Sequence, residues 1–351
     1  MKSLGIYIHI PFCDGKCPYC DFYSLRGNDR DMDEYVAALK KNIASWGKKL
    51  KSREIDTLYF GGGTPSLLGG ERLGLIIKAV RESFVLSEAA EITVEVNPRS
   101  SNERLFSLLK ENGVNRISLG AQSFNENELK ALGRRHSARD IEAMVYEAAG
   151  SGIENISLDL MINLPLQTRE SILYSIEKAV SLPIKHISAY MLKNEKGTAF
   201  ENIPPIDADE GAEQYLLLCR ELAKRGFKQY EISSFSKNGF ESRHNLKYWH
   251  CEEYLGIGAA AHSFIKNKRF FYPKSRDEFI KGCDVVPDGE GGSGEERLML
   301  SLRLCEGVSL SFNGKEEKYI KAGLMKREKG RLFFTPEGFL VSNSIIADLV
   351  L

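Results

Sequence analysis

Three cysteines near the start of the 351-residue chain, in Cys13-Asp14-Gly15-Lys16-Cys17-Pro18-Tyr19-Cys20, have the residue type and spacing to do chemistry. They follow an apolar segment and are separated by three and then two residues. Thiolates are soft ligands suited to zinc or to iron–sulfur clusters. A structural zinc site is closed by four ligands, and no fourth cysteine lies nearby. Three cysteines can instead hold three irons of a [4Fe–4S] cluster and leave the fourth iron open. The competing assignments are a zinc site completed by His9, or no metal at all. Cys219, Cys251, Cys283 and Cys305 are scattered without paired spacing. They read as free thiols in a reducing compartment, and a cytoplasmic location is expected.

The elements that must position this loop follow from the hydrophobic pattern. Short β-branched runs at 4–10, 55–61, 91–97, 116–122, 155–162 and 186–192 are expected strands. Amphipathic stretches near 32–49, 70–85, 101–112, 138–150, 168–181 and 208–225 are expected helices. The last is the best marked: Asp207 and Glu210 form a capping pattern, and Gly226 supplies its end. Alternating βα units predict an α/β fold, a partial TIM-like (β/α)6 barrel. Regular alternation stops near residue 226, which argues against eight units.

Barrels of this type carry their chemistry at the C-terminal ends of the strands. Tyr7 lies on the first strand, six residues before Cys13. Gly62, Gly63 and Thr64 fall in the Gly61–Ser66 turn after the second, where glycine lets a ligand approach the backbone closely. Glu95 precedes Asn97-Pro98, Gln122 ends the fourth strand, Arg134 follows in its loop, and Asp159 interrupts an apolar fifth strand. Any one of these has a structural explanation; beside the cysteine triad they form a candidate ligand-binding set of acceptors and cations.

The chain divides into expected domains at 1–227, 228–293 and 294–351. The middle segment is aromatic and contains His244, His250 and a Gly291–Gly294 linker. The last carries helical patterns near 295–304, 314–322 and 336–349 and a β-hairpin near 324–335 turning at Lys329-Gly330, a small winged-helix-like α+β unit. Such units often bind DNA, but nine Lys/Arg against eight Asp/Glu make no basic footprint here. The whole chain balances 48 basic against 48 acidic residues, so no nucleic-acid partner is expected. No apolar run is long enough to span a bilayer, and the N-terminal residues are not expected to act as a secretory signal.

Taken in order, HIPFCDGKCPYCDFYS, FGGGTPS, EVNP, NRISLGAQSF, LGRRH, HNLKYW and YLGIGAAAHSF cover nearly the whole chain. The chain resembles the radical S-adenosylmethionine (SAM) superfamily, in the branch holding oxygen-independent coproporphyrinogen III oxidases and HemW-type haem chaperones. The resemblance implies that Cys13, Cys17 and Cys20 hold a [4Fe–4S] cluster whose open iron chelates SAM. In that superfamily the cluster's electron cleaves SAM to a 5′-deoxyadenosyl radical. It implies SAM contacts for Tyr7, Gly62, Gly63, Thr64, Glu95, Gln122, Arg134 and Asp159. Tyr19 is either a shield for the cluster, a platform for the adenine or a core aromatic. Haem would suit the aromatic segment, with His244 as the implied axial ligand and His250-Cys251 behind it.

Two departures separate this chain from the oxidases. The oxidases carry a long extension before the first barrel strand, whereas a strand is expected here from residue 4. They also have a further cysteine after the triad, where this chain has Asp21-Phe22. CDFYS and HNLKYW are instead similar to the HemW-type proteins. The expected function is therefore haem binding and delivery to acceptor proteins, served by an electron donor and with a possible homodimer. The alternative is oxidation of coproporphyrinogen propionates.

Overall fold

The computed structural model describes residues 3–50, 53–100 and 104–350. Six parallel strands alternate with helices in chain order: β1 (Leu4–Ile10), α1 (Asp29–Lys49), β2 (Glu54–Gly62), α2 (Gly69–Ser83), β3 (Val85–Val96), α3 (Leu105–Glu111), β4 (Arg116–Gln122), α4 (Glu126–Ala131), α5 (Ala138–Gly150), β5 (Asn155–Ile162), α6 (Arg169–Ser181), β6 (His186–Met191) and α7 (Ala208–Lys224). Each strand from β1 to β6 pairs in parallel with the next. This is the expected (β/α)6 partial barrel. The expected helix at 101–112 is shorter, and residues 101–103 lie outside the described residues. The short helix α4 was not expected.

Alternation within the strands separates two environments. Leu4, Ile6, Ile8 and Ile10 of β1, with Leu58, Phe60, Ile92, Val94, Ile117, Leu119, Ile156 and Leu158, join the apolar core shared with the helices. The intervening positions face the barrel interior and are polar: Tyr7 and His9, Thr57 and Tyr59, Glu91, Thr93 and Glu95, Arg116 and Ser118, Ser157 and Asp159, His186 and Ser188. Period-two alternation permits this because successive side chains leave a strand on opposite faces. The helices are held by their own ends. Asp207 accepts from the amides of Asp209 (2.9 Å) and Glu210 (3.2 Å) at the start of α7, and Gly226 beyond its end is left-handed at φ 79°.

The segment 228–293 does not stand apart from the barrel sheet. Strands β7 (Lys228–Glu231) and β8 (Ser234–Ser236) extend it beyond β6. Helix α8 (Arg243–Trp249) follows, and β9 (Tyr254–Ile257) adds in parallel beside β1. Strands β10 (His262–Ile265) and β11 (Lys268–Phe271), helix α9 (Arg276–Lys281) and strand β12 (Val286–Glu290) complete that edge. The sheet thus has 12 strands, ordered β12-β11-β10-β9-β1-β2-β3-β4-β5-β6-β8-β7. These added strands are three to five residues long, too short to show a period of their own.

The remainder is α10 (Gly294–Ser301), α11 (Glu317–Lys321), β13 (Met325–Glu328), β14 (Arg331–Phe334), α12 (Pro336–Leu340) and α13 (Ser342–Val350). The hairpin β13–β14 turns at Lys329 (φ 49°) and Gly330 (φ 77°), as expected for a two-residue turn with both central residues left-handed. The expected final helix is divided at Val341 into α12 and α13. Among the described residues no helix is long and apolar enough to cross a membrane.

Helix α8 closes the floor of the barrel. Lys247, buried, pairs with Asp56 (2.9 Å) and Glu252 (3.2 Å). The Glu91 carboxylate of β3 accepts from the backbone amides of Arg243 and His244, each at 3.1 Å, capping the helix from across the barrel. Arg116 lies fully buried below, with Nε and Nη1 lacking a hydrogen-bond partner among the described residues. Burial disfavours its charge, but the groups around it, Glu91 first and then Tyr59, Tyr230 and Asp159, together more than offset this. Leaving buried donors without their charged acceptor costs about 1–3 kcal/mol. Glu91→Ala is expected to destabilise the fold by that order in urea denaturation. Glu91→Gln, which keeps an acceptor for α8, separates the capping contribution from the charge.

Candidate functional site: a cysteine loop at the mouth of a polar barrel

The cysteine loop leaves β1 and is tied down by main-chain bonds. Cys13 donates to the carbonyl of Leu25 (2.9 Å) and Leu25 to that of Pro11 (2.7 Å). Arg135 reaches over from the loop after α4 to the Asp14 carboxylate (3.1 Å) and the Asp14 carbonyl (3.2 Å). A side chain on Gly15 would collide with this guanidinium, since a Cβ there would lie 2.1 Å from Arg135 Nη2. The loop is therefore fastened to two strand ends.

The three thiols are free and half-buried. Cys13 Sγ lies 3.5 Å from Thr64 Oγ1, and Cys17 Sγ lies 3.5 Å from Arg134 Nη1. Arg134 Nη2 also donates to the Gly120 carbonyl (2.7 Å). Gly63 packs so closely on the loop that a Cβ would stand 2.6 Å from the Phe12 carbonyl oxygen and 3.1 Å from Cys13 Sγ. Among the described residues no three His, Cys, Asp or Glu side chains converge on one metal ion. A four-iron cluster puts each thiolate on a different iron and so requires a wider triangle than one ion does. Free sulfurs, a backbone approach and an adjacent guanidinium fit such a cluster.

Below the loop, one layer of the barrel interior brings together the strand residues. Tyr7 and Tyr59 are register partners and stack at 6.1 Å. Tyr59 donates to Glu95 Oε1 (2.9 Å), and the Gly62 amide donates to Glu95 Oε2 (3.2 Å). Ser118 donates to both oxygens of Asp159 (3.2 and 3.3 Å). Burial, with the charge of Asp159, raises Glu95 to about 7. Burial likewise raises Asp159 to about 6. Gln122 takes a left-handed backbone (φ 66°), uncommon for a residue with a side chain. Its amide lies over Gly120, where a Cβ would stand 3.0 Å from Nε2.

One expected site residue, His244, lies away from the mouth, while Tyr19 stays beside the cysteines. Tyr19 packs on the small apolar cluster of Leu132, Met161, Leu164 and Phe200, with its hydroxyl against Cys17 and Arg134. His244 is sealed in the barrel floor at 1% exposure. Its Nδ1 lies 2.8 Å from Thr57 Oγ1 and its Nε2 2.9 Å from the Tyr248 hydroxyl. Burial, then the charges of Lys247 and Arg116, lowers it to about 3. The imidazole is neutral and, in this arrangement, has no nitrogen free for iron. HNLKYW builds the barrel plug: Tyr248 stands edge-on to Tyr254 at 4.6 Å, and Lys247 anchors α8. Tyr59 and Ser118, which hold the two carboxylates, were missed. Reading alternate positions of IDTLYFG and RISLGAQ would have found both, as they share a strand face with Gly61 and with Gln122.

The raised carboxylates make ligand-free stability depend on pH. The folded state holds protons that the unfolded state, with ordinary values of 4.5 and 3.8, has already lost. Stability from these groups is therefore full below about pH 4 and falls as pH rises towards 7. Glu95→Gln is expected to flatten this fall in urea midpoints measured from pH 4.5 to 8; an unchanged slope would remove Glu95 as its cause.

With this geometry in hand, likeness to known proteins is informative. The Radical SAM superfamily pattern matches residues 7–179. The haem chaperone HemW of Mycobacterium tuberculosis is 33% identical, covering 99% of this chain and 95% of its own. That of Bacillus subtilis is 35% identical over 98% of each. That of Escherichia coli is 40% identical over 76% of this chain and 71% of its own. The coproporphyrinogen III oxidase HemN of Escherichia coli, a radical SAM enzyme, superposes with a TM-score of 0.83 at 20% identity, covering 99% of this chain and 90% of that one. At that identity the superposition shows a common fold alone. The cysteine loop, the six-unit barrel and the full-length likeness together place this chain in the HemW haem-chaperone family of the radical SAM superfamily.

Proposed function

We propose that the protein is a haem chaperone that carries a [4Fe–4S] cluster and SAM, binds haem as cargo and passes it to haem-requiring proteins. The observation that carries this reading is the likeness to proteins named haem chaperones, sustained over 98–99% of the chain at 33–35% identity. Cys13, Cys17 and Cys20 are the ligands that would hold the cluster. When bound, it supplies an electron-transfer centre with one iron open to SAM. The Arg134 guanidinium stands beside Cys17 and sets a positive charge against the sulfurs that would hold the cluster. Gly62 and Gly63 let a ligand lie against the backbone, and the Thr64 hydroxyl borders Cys13. Glu95 and Asp159 offer acceptors for the ammonium and ribose hydroxyls of SAM. Tyr7 and Gln122 flank them, and Tyr19 supports the cysteine loop from below. The further elements of the proposal are an electron donor, a cytoplasmic location suited to free thiols, and a homodimer.

Anaerobic reconstitution tests the cluster and SAM together. Replacing Cys13, Cys17 and Cys20 by Ala is expected to abolish the broad charge-transfer absorbance, while Cys219→Ala, buried away in α7, keeps it. Asp159→Ala is expected to weaken SAM binding by about 1.5–3 kcal/mol with the cluster intact, the usual effect of deleting a charged hydrogen-bond partner.

The choice between carrier and oxidase rests on turnover. Incubated anaerobically with SAM, reductant and coproporphyrinogen III, the protein is expected to yield no sustained oxidised product. Incubated with haem and an apo-acceptor, it is expected to transfer the haem. Sustained protoporphyrin formation with matching 5′-deoxyadenosine and methionine would transfer the chain to the oxidase function.

A further inference from the structure

The open edge of the barrel carries a second recess, bounded by β1, β9, β10 and the chain just after the cysteine triad. It is a cleft of about 320 Å³ whose walls include Phe22, Tyr23, Tyr248, Tyr254, His262 and Lys274. Its chemistry is unlike that of the cluster mouth. Five of its ten lining residues are Phe or Tyr, Asp21 and Lys274 are its charged ones, and Phe22 at the rim is 62% exposed, a large apolar group left in water. Small-molecule sites combine apolar walls with a few placed polar groups, and this cleft reaches the lower end of their usual size, roughly 300–1,000 Å³.

The six histidines of the chain sort clearly by what their nitrogens do. His9 and His244 each have both nitrogens engaged, the first by the Tyr7 hydroxyl and the Tyr23 carbonyl. His186 is enclosed between Ser157 and Tyr230, and His136 is buried against the Ala121 carbonyl. His250 is exposed but lies beside Glu306, away from the cleft. His262 alone both faces the cleft and offers a free nitrogen. Its side chain is 55% exposed, its ring stacks on Phe271 at 5.2 Å, and Nδ1 lies 3.9 Å from Asp288 Oδ2. Asp288 is too far for a direct hydrogen bond, so it gives the ring an anionic neighbour on the Nδ1 side, and Nε2 has no hydrogen-bond partner among the described residues.

We infer that this cleft seats the haem cargo, with His262 Nε2 as the axial ligand to iron. The inference rests on the haem-chaperone function proposed above and names the site at which the cargo is held. The ring lies against the tyrosines and Phe22, and Lys274 faces a propionate at the rim. The Nε2 lone pair forms the bond to ferric iron and a water leaves it, with no change of oxidation state. Such a seat at the protein surface, held by one imidazole, suits a ligand that must be released to another protein.

Haem titration of the full-length protein, followed in the Soret region, tests this assignment. His262→Ala is expected to lose the imidazole-ligated spectrum and to weaken haem binding by about ten-fold or more, about 1.4 kcal/mol per factor of ten. Added free imidazole should restore the spectrum. Iron-free protoporphyrin IX, which has no use for an axial ligand, should bind the variant about as well as the parent. If His262→Ala keeps the parent's haem spectrum and affinity, the site is wrong while haem binding stands. If the parent itself binds no haem, the proposed function falls, and the site with it.

Discussion

The constraint on which the structure depends is the polarity of the barrel interior. Six strands turn one face to apolar helices and the other to a shared interior, and that second face is polar at nearly every position. A buried polar group without a partner costs a few kcal/mol, and an isolated charge costs far more. The interior therefore has to pair with itself or with a ligand. In the lower layers it pairs with itself: Glu91 caps α8 and faces Arg116, while Thr57 and Tyr248 engage both nitrogens of His244. In the upper layer Tyr59, Gly62 and Ser118 hold two carboxylates that would rather be neutral. The floor is sealed by α8, with Arg116 Nε and Nη1 left without a partner among the described residues, whereas the mouth beneath the cysteine loop is where a ligand can reach the interior.

The same arrangement explains the position of the cysteine loop. Strand β1 is central in the sheet, flanked by β2 and β9 in parallel. A loop that leaves it lies over the interior and can be clamped from several directions. Arg134 and Arg135, both from the loop after α4, and the glycines after β2 supply that clamp from two strand ends. Guanidinium groups stand beside the sulfurs, and the carboxylates of Glu95 and Asp159 lie inside the barrel with Arg116 below them.

Histidine shows how far residue type alone can mislead. His244 has the motif expected of a haem ligand, yet α8 carries it into the barrel floor, where its hydrogen bonds hold Thr57 and Tyr248 together. His262 belongs to a run of small residues that reads as packing. The turn at Gly258–Ala261 and the start of β10 bring it to the surface beside Phe22 and Tyr254.

The sequence by itself determined the six βα units, because hydrophobic periodicity and helix caps are local and each unit is long enough to display them. It determined the cysteine loop, because ligand type and spacing are written in eight consecutive residues. The glycines after β2, Glu95, Gln122, Arg134 and Asp159 were legible as polar or flexible interruptions at strand ends. What only the tertiary structure decided depends on residues far apart in the chain. The short strands β7 to β12 exist because the open edges of the barrel offer them hydrogen bonds, and runs of three to five residues carry no period to betray them. The roles of Tyr59, Ser118, Arg116 and Glu91 depend on which strands stand side by side. Whether a histidine is buried and bonded or open to a ligand depends on the packing of α8 and β10 against the barrel, and burial is a property of the folded chain rather than of the residue.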